Sequence, residues 1–388
     1  MKFTQSQLRI LEMIKNKNRI CRKKIAEELE LTPAAITKSI DPLLQCGVVL
    51  EAAQRESTGG RRAIDLSLNK YWVGKILGIS LTPTSVITSV GNIEGEIFRT
   101  NRYKIDESEE LISYLEEIIE IELEKESEIK VISMAITGLI NSENGVILFS
   151  PHYKRKKINI KERVEKKFGI SVLVENDVRA MALTERYFGT AKDSENYVVL
   201  NVSEGIGSSI FMNGDLLSGH GFISGEIGHV VMDRSSLRRC SCGKRGCLEA
   251  EASNAAIINR LVSMIKLNNY SSLKEKLKAE GSIDILDVLK GVKERDFLST
   301  KVSTEAMVII AHSIDMIISL VNPEKIVLVG EIFKENLLLN TLKLELQKVT
   351  LEEQKYDLVV SETLNEMHVY NPISVVRHNL FRKNIWRG

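Results

Sequence analysis

Gly225-Glu226-Ile227-Gly228-His229, then ten residues, then Cys240-Ser241-Cys242-Gly243-Lys244-Arg245-Gly246-Cys247-Leu248-Glu249 is the stretch on which the reading of this 388-residue chain turns. One histidine and three cysteines supply four of the sulfur and imidazole donors that zinc prefers. Gly243 and Gly246 let the backbone turn tightly around an ion. Four protein ligands leave no open coordination position, so the ion expected is a structural Zn2+ held by His229, Cys240, Cys242 and Cys247. His220 is a rival for the histidine position, at a longer spacing. The two remaining cysteines, Cys21 and Cys46, lie far from this cluster. An odd total of five, behind an N-terminus without a signal peptide's apolar stretch, argues against a disulfide framework and for a cytoplasmic protein.

At the other end of the chain the charge is asymmetric. Residues 1–70 hold 13 Lys and Arg against 8 Asp and Glu, a balance of +5, whereas the rest of the chain is slightly acidic. A basic head on an acidic body suits a head that meets phosphates. Leu8, Ile10, Leu11 and Ile14 have helical spacing, and residues 22–30 form a second short helix. Thr32 is a good N-cap and Pro33 suits the first position of a third helix, so the two later helices read as a helix-turn-helix. Pro42, late in that helix, predicts a kink or an early end. Gly47 stops it, and two strands follow, with Gly59-Gly60-Arg61-Arg62 between them as the tip of a wing. In a helix-turn-helix the first residues of the recognition helix meet base edges and basic side chains hold phosphates. The candidates for DNA contact are Thr32, Ala34, Ala35, Thr37 and Lys38, with Arg61 and Arg62 from the wing.

From residue 74 strands alternate with helices. Strands are expected at Lys75–Ser80, Val86–Val90, Val131–Ile136, Val172–Val174, Val198–Val202 and Lys325–Val329, with helices at 108–127, 178–188 and 304–321. Polar or glycine turns close several of these strands, including Glu175-Asn176-Asp177 and Glu204-Gly205-Ile206-Gly207. That is an α/β architecture with ligand chemistry at the strand ends. No unbroken apolar run reaches the ~18–20 residues that span a bilayer, so no membrane association is expected.

Gly205-Ile206-Gly207, Gly214, Gly219, the Gly-Glu-Ile-Gly-His motif and the Cys-x-Cys-Gly-x-x-Gly-Cys-x-Glu run together resemble the ROK family, which groups sugar kinases with sugar-responsive repressors. The resemblance spans essentially the whole chain and, with the winged helix, matches the repressor branch, of the xylose-repressor and N-acetylglucosamine-repressor type. It implies a two-lobed, actin-like (ribonuclease-H-like) sugar-kinase fold behind the winged helix-turn-helix, with the structural zinc site inside it. The expected divisions are a DNA-binding domain at 1–70, a first lobe at 74–190 and a second lobe with the zinc loop at 191–371. A C-terminal helix at about 372–388 is expected to pack back on the first lobe. The resemblance also implies that Asn176, Asp177, Glu226, His229 and Glu249 bind sugar hydroxyls. The chemistry agrees, because carboxylates accept charge-assisted hydrogen bonds from hydroxyls. Asp177 alternatively serves as a helix N-cap, and Asn176, Glu226 and Glu249 alternatively brace the zinc loop.

Family kinases place Asp-x-Gly-Gly-Thr after the first strand and Gly-Thr-Gly-x-Gly in a second phosphate loop. Here the corresponding positions hold Ser80, Thr82 and Pro83 in the first and Ser203 and Glu204 in the second. Proline lacks an amide hydrogen, and Glu204 puts negative charge where phosphate would lie. No ATP binding and no catalysis are therefore expected. His152 replaces a usual asparagine, and Lys154-Arg155-Lys156-Lys157 beside it is either a solvated basic turn or an attractor for an anionic sugar. The partners expected are operator DNA and a small sugar effector, with the chain acting as a homodimer or a dimer of dimers. A sugar kinase that retains phosphotransfer is the alternative.

Overall fold

The computed structural model describes residues 3–17, 19–51, 64–82, 84–105, 111–150 and 155–382, without the side chains of Arg155 and Lys156. Pro83, His152, Lys154 and the wing-tip residues Arg61 and Arg62 lie outside these stretches.

The head is built from α1 (Gln5–Lys17), α2 (Arg22–Leu29) and α3 (Pro33–Gln45), backed by a three-stranded antiparallel sheet of Ile20–Cys21, Asp65–Leu68 and Val49–Glu51. Ile10, Leu11 and Ile14 of α1 and Ile36, Ile40 and Leu43 of α3 are fully buried. Burial of this kind stabilises by roughly 1.5–3 kcal/mol per side chain. Thr32 caps α3, its side chain accepting from the Ala35 amide at 3.3 Å, and Pro33 follows at the first helical turn. The expected early end at Pro42 does not occur. α3 continues to Gln45, and the Cys46 amide donates to the Pro42 carbonyl at 3.0 Å. Burial of Ile40 and Leu43 on either side offsets the one backbone bond that proline removes.

The body contains two five-stranded sheets with the same order. In the first, Lys75–Leu81 is central, flanked on one side by the antiparallel strands Ser85–Gly91 and Ile97–Lys104 and on the other by the parallel strands Ile129–Ile136 and Ser171–Asn176. In the second, Tyr197–Val202 takes the central place between antiparallel Ile206–Met212 and parallel Lys325–Val329, with Asp215–Leu216 and Asp357–Val360 at the edges. The inner strands are buried on both faces, as parallel-type strands covered by helices must be. Ile97–Lys104 alternates half-buried and exposed residues and forms the edge strand that follows the turn at 91–95. A further antiparallel sheet of Leu139–Asn141, Val146–Ser150 and Arg155–Asn159, which the sequence reading omitted, projects beside the Thr137-Gly138 turn.

Helix boundaries shift from expectation at several ends. The expected 108–127 helix runs from Leu111 to Lys125, and the expected 304–321 helix starts seven residues earlier, at Phe297, where Asp296 caps it. This Phe297–Val321 helix is long and apolar enough to cross a membrane by length and composition. Its Leu298, Val302, Ala306, Ile310 and Ile314 instead fill the core of the second sheet's lobe. The last helix spans Met367–Asn379 rather than beginning at 372, with Pro372 inside it. It lies against the first sheet, where Ser80 Oγ donates to the His368 carbonyl at 2.5 Å and Ser89 Oγ to the Val369 carbonyl at 3.0 Å. Ile373, Val375, Val376 and Leu380 join one continuous apolar core with Ile10, Ile14 and Leu68 of the head and Val131 and Leu173 of the first sheet.

Candidate functional site

The cleft between the two sheets receives strand ends from both. Ser171–Asn176 runs straight into the helix Asp177–Tyr187, and Asn176, not Asp177, is its N-cap. Asn176 Oδ1 accepts from the Arg179 amide at 3.0 Å, while its Nδ2 donates to the Gly138 carbonyl at 2.8 Å and to Asp177 Oδ1 at 3.0 Å. Asp177 therefore has no capping duty beyond its own turn. Its Oδ2 accepts from Thr137 Oγ1 at 2.7 Å, and its Oδ1 also accepts from the Val178 amide at 3.0 Å. Burial pushes the Asp177 carboxyl above the usual carboxylate range, against the lowering effect of those hydrogen bonds.

From the other lobe, the hairpin after Tyr197–Val202 brings Gly225 against Ser208. A Cβ on Gly225 would lie 2.1 Å from the Ser208 carbonyl oxygen, and its φ of +88° is one that L side chains rarely adopt, so only glycine fits. The single 3-10 turn Ile227–His229 then aims Glu226 at the cleft. Burial raises the Glu226 carboxyl. His229 opposes this rise, and the negative charge of Asp177 adds to it. A cavity of about 20 Å³ lies between the lobes, lined by Asn176 and Arg179 on one side and Ser208, Ser224 and Glu226 on the other. A larger depression of about 830 Å³ opens on the surface beside the helix Ile160–Phe168, away from all of these groups.

His229, Cys240 and Cys242 place their donor atoms within 4.8 Å of one another. Cys240 Sγ is 3.4 Å from His229 Nδ1, and Cys242 Sγ is 3.7 Å from Cys247 Sγ. Tetrahedral ligands at zinc-like bond lengths stand about 3.5–3.8 Å apart, so the His229, Cys240 and Cys242 donors fit one ion, whereas Cys247, beside Cys242, stands outside the group whose donors all lie within 4.8 Å of one another. His220 is exposed and stands outside the group. With Nδ1 facing the sulfurs, the other ring nitrogen, Nε2, lies 3.7 Å from Glu226 Oε2. The histidine thus links the metal-type cluster to the cleft. Glu249 stands beside the cluster: its Oε1 accepts from Ser241 Oγ at 2.8 Å and lies 3.6 Å from Cys240 Sγ. The loop is braced by Arg238 Nε, which donates to the buried Glu251 at 2.8 Å, and by Lys244 Nζ, which donates to the His229 carbonyl at 2.6 Å. Gly246 is required in the same way as Gly225, because a Cβ there would lie 1.8 Å from the Asp233 carbonyl oxygen.

On the head, Thr32, Ala34, Thr37 and Lys38 are exposed along the first turns of α3, and Ala35 is half-buried. Thr37 Oγ1 donates back to the Pro33 carbonyl at 3.0 Å. The sequence reading missed Thr137 and Arg179 as members of the cleft. A charged residue at position 179, on the face of the helix that carries Ala182 and Leu183 inward, was the available signal.

Residues 76–368 match the ROK family model, and residues 3–49 match a winged helix-turn-helix DNA-binding model. The chain is 30% identical over 319 residues to the DNA-binding transcriptional dual regulator NagC of Escherichia coli, covering 81% of this chain and 77% of that protein. It is 29% identical over 279 residues to the xylose repressor of Bacillus subtilis, covering 70% and 71% of the two chains. Among solved structures, a ROK family transcriptional regulator described as a homologue of the E. coli MLC protein aligns at a TM-score of 0.84 with 28% identity, over 97% of this chain and 96% of that one. A ROK glucokinase from Streptomyces griseus, in complex with glucose and AMPPNP, aligns at 0.67 with 20% identity and shares the body fold alone, over 79% of this chain and 100% of that one. The chain belongs to the ROK family, among its winged-helix transcriptional regulators rather than its enzymes.

Proposed function

We propose that this chain is a cytoplasmic, sugar-responsive repressor of carbohydrate genes that binds operator DNA through residues 1–70 and a sugar between lobes at 74–190 and 191–371. The observation that carries the reading is a division of labour in the body. Asn176 and Glu226 line the interlobe cavity, and Asp177, His229 and Glu249 stand near enough for their charges to act on Glu226, a set in which carboxylates and a histidine could accept from and donate to hydroxyls. The positions that would hold nucleotide phosphates in a kinase are spent otherwise. Ser80 is buried and donates to the C-terminal helix, and Thr82 Oγ1 closes a turn with the Ser85 carbonyl at 2.9 Å. Glu204 adds negative charge to the second loop.

In this reading Zn2+ is the ion of the His229, Cys240, Cys242 and Cys247 cluster. Bound there, it would fix the ring so that Nε2 serves the cleft, a way in which a structural metal orients a ligand-binding histidine. On the DNA side, Thr32, Ala34, Ala35, Thr37 and Lys38 would meet the major groove, and Arg61 and Arg62, outside the described residues, are the candidates from the wing. Two copies read two half-sites.

The cleft cavity of about 20 Å³ has room for about one water, so a sugar would enter only when the lobes part. The helix Met367–Asn379 connects that movement to the head. Its first turn bonds the first sheet through His368, its middle bonds Thr184 through Asn371, and its end bonds α1 through Arg377. Sugar shifts the operator equilibrium by favouring one lobe arrangement over the other. The test is operator affinity of the zinc-replete chain with and without a panel of sugars, alongside calorimetric titration with the same sugars and with ATP. Binding of one sugar with an altered operator affinity and no heat from ATP is expected. A sugar that binds without changing operator affinity overturns the coupling, and ATP binding with phosphorylated product restores the kinase reading.

A further inference from the structure

Arg179 stands in the first turn of the helix Asp177–Tyr187, and its side chain is only 3% exposed. Its Nε lies 2.8 Å from Glu175 Oε1, and its Nη2 donates to the Ile140 carbonyl at 2.7 Å. Its Nε, though ion-paired with Glu175, and its Nη1 are both buried, and neither has a hydrogen-bond partner among the described residues. Arg179 lines the interlobe cavity, and no other described residue lining it leaves a buried side-chain polar atom unpartnered. A buried charged donor without an acceptor is costly. Such a group is expected to be met by something that enters the space beside it.

Two of the neighbouring donors are already committed. Asn176 Nδ2 serves the Gly138 carbonyl and Asp177, and Ser208 Oγ donates to the Gly225 carbonyl at 2.8 Å. The cleft's carboxylates, Asp177, Glu226 and Glu249, are acceptors when ionised. A sugar hydroxyl carries one proton to give and lone pairs that need a donor. His229 Nε2 offers those lone pairs one donor, and Arg179 Nη1 offers a second. The charge of Arg179 is already opposed by Glu175 at 2.8 Å, and Asp177 and Glu226 add negative charge nearby. Those surroundings oppose a phosphate or carboxylate and favour a neutral oxygen.

Resting on the sugar-sensor reading above, we propose that Arg179 is a sugar-contacting, specificity-determining residue. Its Nη1 donates to a neutral hydroxyl or amide-carbonyl oxygen, and the cleft therefore selects an uncharged sugar over that sugar's phosphate or uronic acid.

The experiment is calorimetric titration of the full-length, zinc-replete chain with glucose, xylose and N-acetylglucosamine, then with the monodeoxy, 6-phosphate and uronic acid derivatives of whichever binds. In the unaltered protein, one deoxy analogue should bind about tenfold more weakly or worse, as loss of a hydrogen bond to a charged group implies. In Arg179→Lys and Arg179→Gln the parent sugar should weaken by a similar factor, and that analogue should lose little more. Equal deoxy penalties in the variants and the unaltered chain overturn the assignment. Tighter binding of the phosphate or uronic acid than of the neutral parent also overturns it, and that comparison needs no variant to fold. If none of the sugars binds the unaltered chain, the sensor reading itself fails. Binding that ignores Arg179 defeats only the present inference.

Discussion

Arg377 and Lys15 are joined across 362 residues of sequence, Arg377 Nη2 donating to the Lys15 carbonyl oxygen at 3.0 Å. The same guanidinium donates through Nη1 to the Ile93 carbonyl at 3.0 Å, in the turn after Ser85–Gly91. One side chain therefore holds the end of α1 to the body. Burial lowers the Lys15 ammonium to about 8, against the raising effect of its partner Glu12, so this is a closely packed contact and not a loose tether.

Arg377→Ala should leave both carbonyls without this donor and cost about 2–5 kcal/mol of stability. Calorimetry should then resolve a separate, earlier transition for the head. Sugar affinity should stay within about twofold, while the response of operator binding to sugar disappears. Retention of that response would show that the signal passes by another route.

His378 gives the junction a pH dependence. Its Nε2 lies 3.4 Å from Asp215 Oδ1 and its Nδ1 3.1 Å from the Tyr187 hydroxyl, so a neutral ring is satisfied on both nitrogens. Burial pushes the ring down to about 4. Asp215 opposes this, and the positive charges of Arg382 and Lys15 reinforce it. The unfolded ring titrates near 6.5. As pH falls from about 6.5 to about 4, the unfolded chain takes up a proton that the folded chain refuses, and stability is lost across that window. Urea midpoints at pH 7, 6 and 5 should fall more steeply for the unaltered chain than for His378→Gln, which lacks the titrating ring.

Removal of the metal should affect the cleft as well as the loop. The purified chain should carry about one zinc per protomer by elemental analysis, and Cys242→Ser or a strong chelator should release it. Sugar affinity should fall by about tenfold or more, because His229 loses the constraint that aims Nε2 past Glu226. Unchanged sugar affinity in the metal-free protein would make the cluster a brace for the loop alone.

Asp177→Asn removes the charge while keeping the shape. Since burial already raises that carboxyl, folding stability should change little or improve. Sugar affinity should fall by about 1.5–3 kcal/mol, the worth of a charge-assisted hydrogen bond. Titration calorimetry and thermal unfolding on one sample separate the two effects.

Lys38→Ala, on the exposed face of α3, should weaken operator binding and reduce the steepness of its salt dependence by about one unit if the lysine meets a phosphate. Thr32→Ala should additionally cost the head about 1 kcal/mol, since Thr32 caps α3.

Local spacing carried a great deal of this protein. The grouping of His229, Cys240 and Cys242, the cap at Thr32 and the strand that ends at Asn176 are set by residues close together in the chain, and a linear reading finds them. The Leu139–Asn159 sheet escaped because its stability comes from the pairing of its strands, not from a strong pattern in any one of them. Which ring nitrogen of His229 faces the sulfurs, whether Asn176 or Asp177 caps its helix, and the unpartnered Nη1 of Arg179 depend on rotamers fixed by packing. The joint between head and body was least visible of all. It is made by a helix near the end of the chain that buries Ile373 and Val376 with Ile10 and Ile14 near its beginning. Sequence by itself determined the chemistry available at each site. Only the tertiary structure decided that the interlobe cleft and the winged-helix head share a helix, because contacts between residues more than 350 positions apart leave no periodic trace in the chain that forms them.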